Sequence, residues 1–307
     1  MKVFSWNDVV RGAESGAAAS YGLASDSNCA ADSLGLANNP AASLGPSAVT
    51  VGGFDGMHLG HQALFDAVFE WKEKRARADL LGLQNVRGAC LAGAVTFTRS
   101  PGAFKSESYP GDLMTERMKL EFLEKRGFDF CVMIDFSEDF SKIVGRNFLD
   151  QLRKFCSAQF LAAGSDFRCG HNLDTGVAEL ADYATQNGLE LKVLDDVTLD
   201  KKRVSSSLIR GAVLEGDFAL AKKLLGFPYR IDCSRLEWRA SSSDSSLSLI
   251  ANGRTTQVLP KAGRHPVSVV FAGKKSSAFF CAEGQFLRLE FPLGQKVSST
   301  IQEIEFQ

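Results

Sequence analysis

From Ala48 onward, short apolar or β-branched runs alternate with stretches of helical period, the pattern of a parallel α/β sheet. AVTVGG (48–53) reads as a buried strand ending in a glycine turn. The next segment, about Gly60 to Ala78, carries Leu64, Val68 and Trp71 at i, i+4 and i+7 with a charged outer face, which predicts an amphipathic helix. Strands are expected at 89–98, 128–134, 160–164 and 189–194, and helices at 112–126, 146–157 and 177–187, two of them stopped by Gly127 and Gly188. A serine-led helix follows within 203–229, then a second over Phe218 to Leu225 that ends at Gly226 with Pro228 just beyond. At the start of the chain, residues 1–10 can form a short strand, whereas 12–47 is Ala, Ser, Gly and Asn with few bulky side chains. Such a segment buries too little apolar area to offset its ordering entropy, so it reads as a flexible insertion. Past Pro228 the helical period disappears and alternating stretches such as HPVSVVF, SAFFCA and QFLRLEF predict a small antiparallel β unit. Two domains are therefore expected, 1–230 and 231–307.

Composition adds limits rather than a function. With hydrophobic residues at 45% and charged residues at 23%, the chain has the makings of an ordinary soluble core. A net charge of −1 supplies no global basic excess for nucleic acid or an anionic membrane, so a polyanionic ligand needs a local site. The seven cysteines are scattered and never spaced as Cys-x-x-Cys, which argues against a disulfide framework or a zinc site and suits the cytoplasm. No apolar run reaches the roughly 18 residues that a membrane helix needs, and MKVFSWNDVVRG lacks the apolar core of a signal peptide.

Chemistry concentrates in VGGFDGMHLGHQ (51–62). His58 and His61 are three residues apart around Gly60, so on a helix opening here both imidazoles share one face. Unpaired N–H groups at a helix N-terminus, the macrodipole and the nearby glycines favour an anion such as phosphate. The alternative is a tight turn with two surface histidines. In open parallel sheets, ligands bind past the carboxyl ends of the strands, which puts this loop and GSDFRCGHNLDTG (164–176) on the functional edge. In RVSSSLIRG (203–211), one of Ser205, Ser206 and Ser207 can cap the helix while the others, with Arg210 one turn on, face an anion. A well-capped helix without a ligand is the plainer alternative.

GGFDGMHLGHQ, GSDFRCG and VSSSLIRGAVLEGDFALAKKLLGFPY, in this order, resemble the nucleotidyltransferase half of bacterial bifunctional riboflavin kinase/FMN adenylyltransferases, the FAD synthetases. The likeness extends through 112–152 and covers roughly 48–229. It implies a Rossmann-like nucleotidyltransferase domain of the His-x-Gly-His type, in which the FMN phosphate attacks the α-phosphorus of ATP to give FAD and pyrophosphate, with Mg²⁺ present. By that resemblance His58 and His61 contact the ATP phosphates, Gly52, Gly53 and Phe54 line the turn beside them, and Asp55 fixes the turn. Ser206, Ser207 and Arg210 match the element that holds the departing pyrophosphate. Asp166, Phe167 and Arg168 match the loop that shapes the nucleotide and flavin side, with Asp166 either capping the loop or touching ligand. No metal-binding residues are assigned, and the expected partners are small molecules, ATP and FMN, with neither nucleic acid nor membrane.

Four departures from the family pattern bear on activity. Gly53 stands where the family has Asn, Cys169 replaces an aromatic residue, and TFTRSPGAF (96–104) keeps Pro101 but lacks the family's histidine. From 230 onward the kinase signature Gly-x-Pro-Thr-Ala-Asn is missing and the stretch is short for the kinase barrel, although LPKAGRHPVSVVF is similar to one of its strands. The expectation is an FMN adenylyltransferase without riboflavin kinase activity, its β domain a reduced remnant. The alternatives are a related transferase with another phosphorylated acceptor, or a catalytically weak flavin- or nucleotide-binding protein.

Overall fold

A computed structural model describes residues 1–7, 10, 44–81, 89–105, 108–243, 246–261, 263–271, 273–283, 286–292 and 300–307. The insertion expected over 12–47 lies, apart from 44–47, outside the described residues. In chain order the first elements are β1 (Lys2–Ser5), β2 (Ser47–Val51), α1 (Leu59–Leu80), β3 (Leu91–Phe97), α2 (Gly102–Lys105), α3 (Glu116–Arg126), β4 (Phe130–Ile134), α4 (Glu138–Ser141), α5 (Gly145–Cys156) and β5 (Ala158–Gly164). There follow α6 (Val177–Asn187), β6 (Glu190–Leu194), the hairpin β7 (Thr198–Leu199) and β8 (Lys202–Arg203), α7 (Ser206–Leu214) and α8 (Phe218–Leu225). The last seven strands are β9 (Arg230–Asp232), β10 (Glu237–Ser243), β11 (Ser246–Asn252), β12 (Gly263–Phe271), β13 (Lys274–Glu283), β14 (Phe286–Phe291) and β15 (Glu303–Phe306).

The chain divides into two compact units: Met1–Phe54 with His61–Pro101 and Leu120–Asp196, and Asp55–Gly60 with Gly102–Lys119 and Val197–Gln307. The first unit holds a six-stranded parallel sheet in the order β1-β4-β3-β2-β5-β6. β2 and β4 are buried at every position: β4 reads as an unbroken apolar run, and in β2 the buried Ser47 and Thr50 donate their hydroxyls to the Cys156 and Ala162 carbonyls. Phe148, Leu149 and Leu152 of α5 and Leu180 and Tyr183 of α6 pack with Val49, Val132 and Leu161 in one core. From β2 the strands step outward through β3 to β4, then β5 returns on the other flank of β2. The order reverses between β2 and β5, so the crevice past their carboxyl ends is the topological switch point.

In the second unit a seven-stranded antiparallel sheet runs β10-β11-β14-β13-β12-β15-β9. Its inward side chains, among them Val267, Val269, Phe280, Leu289 and Phe306, share one core with Ile209 and Val213 of α7 and Ala221, Leu224 and Leu225 of α8. The helix expected from 112 starts at Glu116. The reason is long-range pairing: Asp112 bonds through its backbone to Thr256 and Val258, and the Leu113 and Met114 N–H groups are claimed by Asp55. Among the described residues, no helix is long and apolar enough to cross a membrane.

Candidate functional site

In the first unit, β2 ends in a tight turn in which Gly52 leaves room for the Phe54 ring. The Gly52 N–H donates to the Val95 carbonyl at 3.1 Å, and a Cβ on Gly52 would lie 2.6 Å from the Phe54 ring. The Gly53 carbonyl accepts the Thr96 hydroxyl at 3.2 Å, while a Cβ on Gly53 would meet nothing within 4 Å. Phe54 is fully buried with φ +42°, a left-handed conformation costly for a bulky residue and characteristic of functional turns. Its ring meets His61, in the first turn of α1, edge-on at 5.2 Å, and Phe65 at 5.0 Å. The Phe54 ring thus packs against the His61 imidazole and restrains it.

The loop after β5 leaves the neighbouring strand. Cys169 and Thr175 exchange backbone hydrogen bonds of 2.9 and 3.1 Å and close a small lariat. Asp174 secures it by accepting the Gly145 N–H at 3.0 Å and the Thr175 hydroxyl at 2.9 Å. Asp166 and Arg168 are exposed near its mouth, and Phe167 packs partly against the sheet core. Asp166 Oδ1 lies near Gly164, 3.0 Å from where a Cβ would stand. Burial pushes the Cys169 thiol up to about 12, with Asp174 adding to the shift, so it is protonated and unreactive at neutral pH.

In the second unit, the segment from Asp55 continues the strained turn, with Gly56 at φ +89° and Met57 at φ +47°. His58 is buried, and a Cβ on Gly60 would lie 3.2 Å from its imidazole, so Gly60 leaves the space that the ring occupies. Asp55, 3% exposed, is the hub. Its Oδ1 accepts the N–H groups of Leu113 and Met114 at 2.8 and 3.1 Å, and its Oδ2 pairs with Arg210 Nη2. Burial pushes the Asp55 carboxyl above its usual value, against the pull of Lys119 and Arg210. Asp55 is expected to fix the turn beside Gly52, Gly53 and Phe54; in the structure its carboxylate ties down the backbone ahead of α3.

Three adjacent serines have three different environments. Ser205 caps α7, its hydroxyl accepting the Leu208 N–H at 3.3 Å. Ser206 donates its hydroxyl to the Asp55 carbonyl at 2.8 Å, and Ser207 is exposed in the first turn. Arg210 is buried, with Nε donating to the Gly111 carbonyl at 2.9 Å and Nη2 to the Tyr109 hydroxyl at 2.7 Å as well as to Asp55. Ser206 and Arg210 are therefore brought together around Asp55. Tyr109 and Gly111 belong to this cluster but carry no motif. The Pro110-Gly111 pair signals a turn, and nothing in the sequence pairs it with a helix about a hundred residues on.

A parallel sheet of this order, with a glycine-rich, histidine-bearing loop at its switch point, defines a Rossmann-like protein of the nucleotidyltransferase class. A crystal structure described as a macrolide-efflux protein from Streptococcus pneumoniae has the same fold, with a TM-score of 0.67 and 23% identity over 85% of this chain and 92% of that one. The FAD synthetase family matches residues 41–208, and the chain belongs to that family. Bifunctional riboflavin kinase/FMN adenylyltransferases are similar to it: the Haemophilus influenzae protein is 32% identical over 186 residues, 60% of this chain and 56% of that one. The Escherichia coli K12 and Bacillus subtilis 168 proteins are each 29% identical, covering 60% of this chain and 55% of theirs. The matched region spans about half the length of these relatives.

Proposed function

We propose that the protein is an FMN adenylyltransferase: an oxygen of the FMN phosphate attacks the α-phosphorus of ATP, the bond from that phosphorus to the β-phosphate oxygen breaks, and FAD and pyrophosphate result. The family match over 41–208, which takes in His58, His61, Ser206 and Ser207, carries this reading. In-line transfer of this kind asks the protein for positioning and charge stabilisation rather than covalent work. His58 and His61 meet the ATP phosphates beside the turn of Gly52, Gly53 and Phe54. The pyrophosphate is received by the Ser207 hydroxyl, the backbone N–H of Ser206 and Arg210. Ser206 contributes its N–H because the Asp55 carbonyl already takes its hydroxyl proton. Asp166, Phe167 and Arg168 shape the flavin side.

Among the described residues no three His, Cys, Asp or Glu side chains are grouped to hold a metal ion. By the family resemblance Mg²⁺ accompanies ATP, held through its phosphates.

Purified protein given FMN, ATP and Mg²⁺ should form FAD and pyrophosphate in equal amounts, and absence of FAD above background overturns the reading. Riboflavin with ATP should give no FMN, because the segment after 230 lacks the kinase signature. One observation favours a second reading, a nucleotide-binding protein with little turnover: Arg210 is already paired with Asp55. Tight FMN binding without FAD formation would establish it.

A further inference from the structure

The Arg210 guanidinium offers five N–H donors, and three of them are accounted for: Nε on the Gly111 carbonyl and both hydrogens of Nη2 on Asp55 and the Tyr109 hydroxyl. Among the described residues, Nη1 carries no hydrogen bond. The Tyr109 hydroxyl in turn donates to Asp112 Oδ1 at 2.8 Å, which orients its lone pairs toward Arg210. The ring of Tyr109 also faces the guanidinium, with 4.8 Å from Arg210 Cζ to the ring centroid. One edge of the guanidinium is therefore clamped by the fold, its plane is set by an aromatic face, and the opposite edge is left to donate.

We propose that Tyr109 is a positioning residue, acting through Arg210: it holds the guanidinium so that Nη1 presents its two donors to the pyrophosphate group. This rests on the assignment of Arg210 to the departing pyrophosphate. Asp55 on Nη2 and the Gly111 carbonyl on Nε take two donors of that edge and leave the second Nη2 hydrogen to a third partner. The Tyr109 hydroxyl supplies this third point and the ring supplies the plane. Tyr109→Phe keeps the plane and loses the point, whereas Tyr109→Leu loses both.

The test is a double-mutant cycle read by calorimetric binding of inorganic pyrophosphate, with FAD formation measured in parallel. Tyr109→Phe should weaken pyrophosphate binding about 10-fold, as expected for one lost hydrogen bond to a charged group, and Tyr109→Leu should weaken it further. In FAD formation kcat should fall by a similar factor, with KM for FMN unchanged. In an Arg210→Lys background, where the planar fork is absent, Tyr109→Phe should change pyrophosphate binding less than 2-fold. Equal losses in both backgrounds, no loss in either, or no pyrophosphate binding by the unmodified protein would each overturn the proposal. The two readouts separate its fate from that of the proposed activity. If FAD forms but the cycle shows no coupling, the role of Tyr109 fails alone. If the cycle shows coupling but no FAD forms, Tyr109 keeps its role and the FMN assignment fails.

Discussion

Gly53, in the turn after β2, and Gly60, in the first turn of α1, have unlike surroundings. At Gly60 a Cβ would stand 3.2 Å from the His58 imidazole, so a side chain there requires the ring to give by a few tenths of an ångström. Around Gly53 there is open space, and its backbone does not need a positive φ. Glycine is thus a choice at 53 rather than a steric necessity, and an asparagine, the residue usual in the FAD synthetases, fits there. Gly53→Asn should fold with stability unchanged or raised by about 0.4–1 kcal/mol, because the unfolded chain loses freedom while the folded turn accepts the Cβ. It should also raise kcat for FAD formation several-fold by supplying one more donor beside the ATP phosphates. Chemical denaturation and steady-state rates check the two halves separately. A stable variant with unaltered kcat would show that position 53 does not face the phosphates.

Secondary-structure elements were legible in the sequence where local rules decide them and obscure where distant partners do. Gly188 and Gly226 adopt left-handed φ values of +62° and +83° at the ends of α6 and α8, and both ends fall where the glycines predict. The start of α3 could not be read locally, because Asp112, Leu113 and Met114 surrender their backbone groups to Thr256, Val258 and Asp55. The same holds for the serines: any of the three could cap α7, and the choice of Ser205 follows from the Asp55 carbonyl holding Ser206. The cap itself is testable. Ser205→Ala removes the side-chain acceptor for the Leu208 N–H and should cost about 1 kcal/mol. Asp217→Ala should cost a similar amount at the start of α8, where Oδ1 accepts the Leu220 N–H at 2.9 Å. Because α7 and α8 share the core of the antiparallel sheet, both losses should appear in the cooperative unfolding of that unit. A local change in helicity at constant midpoint would contradict this.

At the scale of the whole molecule, chain order and spatial membership part company within the histidine motif. Residues 55–60 belong with the unit of the antiparallel sheet, and residues up to 54 and from 61 with that of the parallel sheet. Within the former unit, an ionic network joins segments far apart in sequence. Arg117 binds Asp232 at 2.9 Å and Glu303 at 3.1 Å, Arg230 binds Glu303 at 2.9 Å, and Thr115 donates to Asp232 at 2.7 Å. Burial alone would raise the Asp232 carboxyl, but hydrogen bonds from Arg117, Thr115 and Ser234 hold it at about 2, below its ordinary 3.8. A carboxyl depressed in the folded state stabilises above its unfolded pKa, and that stability drains away as pH falls toward the folded value. Between about pH 4 and pH 2 the unfolded chain takes up the proton first, so acid favours unfolding in that window. Asp232→Asn should lower stability at pH 7 and flatten this acid dependence, so that the difference between the two proteins shrinks as pH drops from 4 to 2. Denaturation midpoints measured across that range decide the matter, since a difference that stays constant with pH would show that the network holds Asp232 by shape rather than by charge.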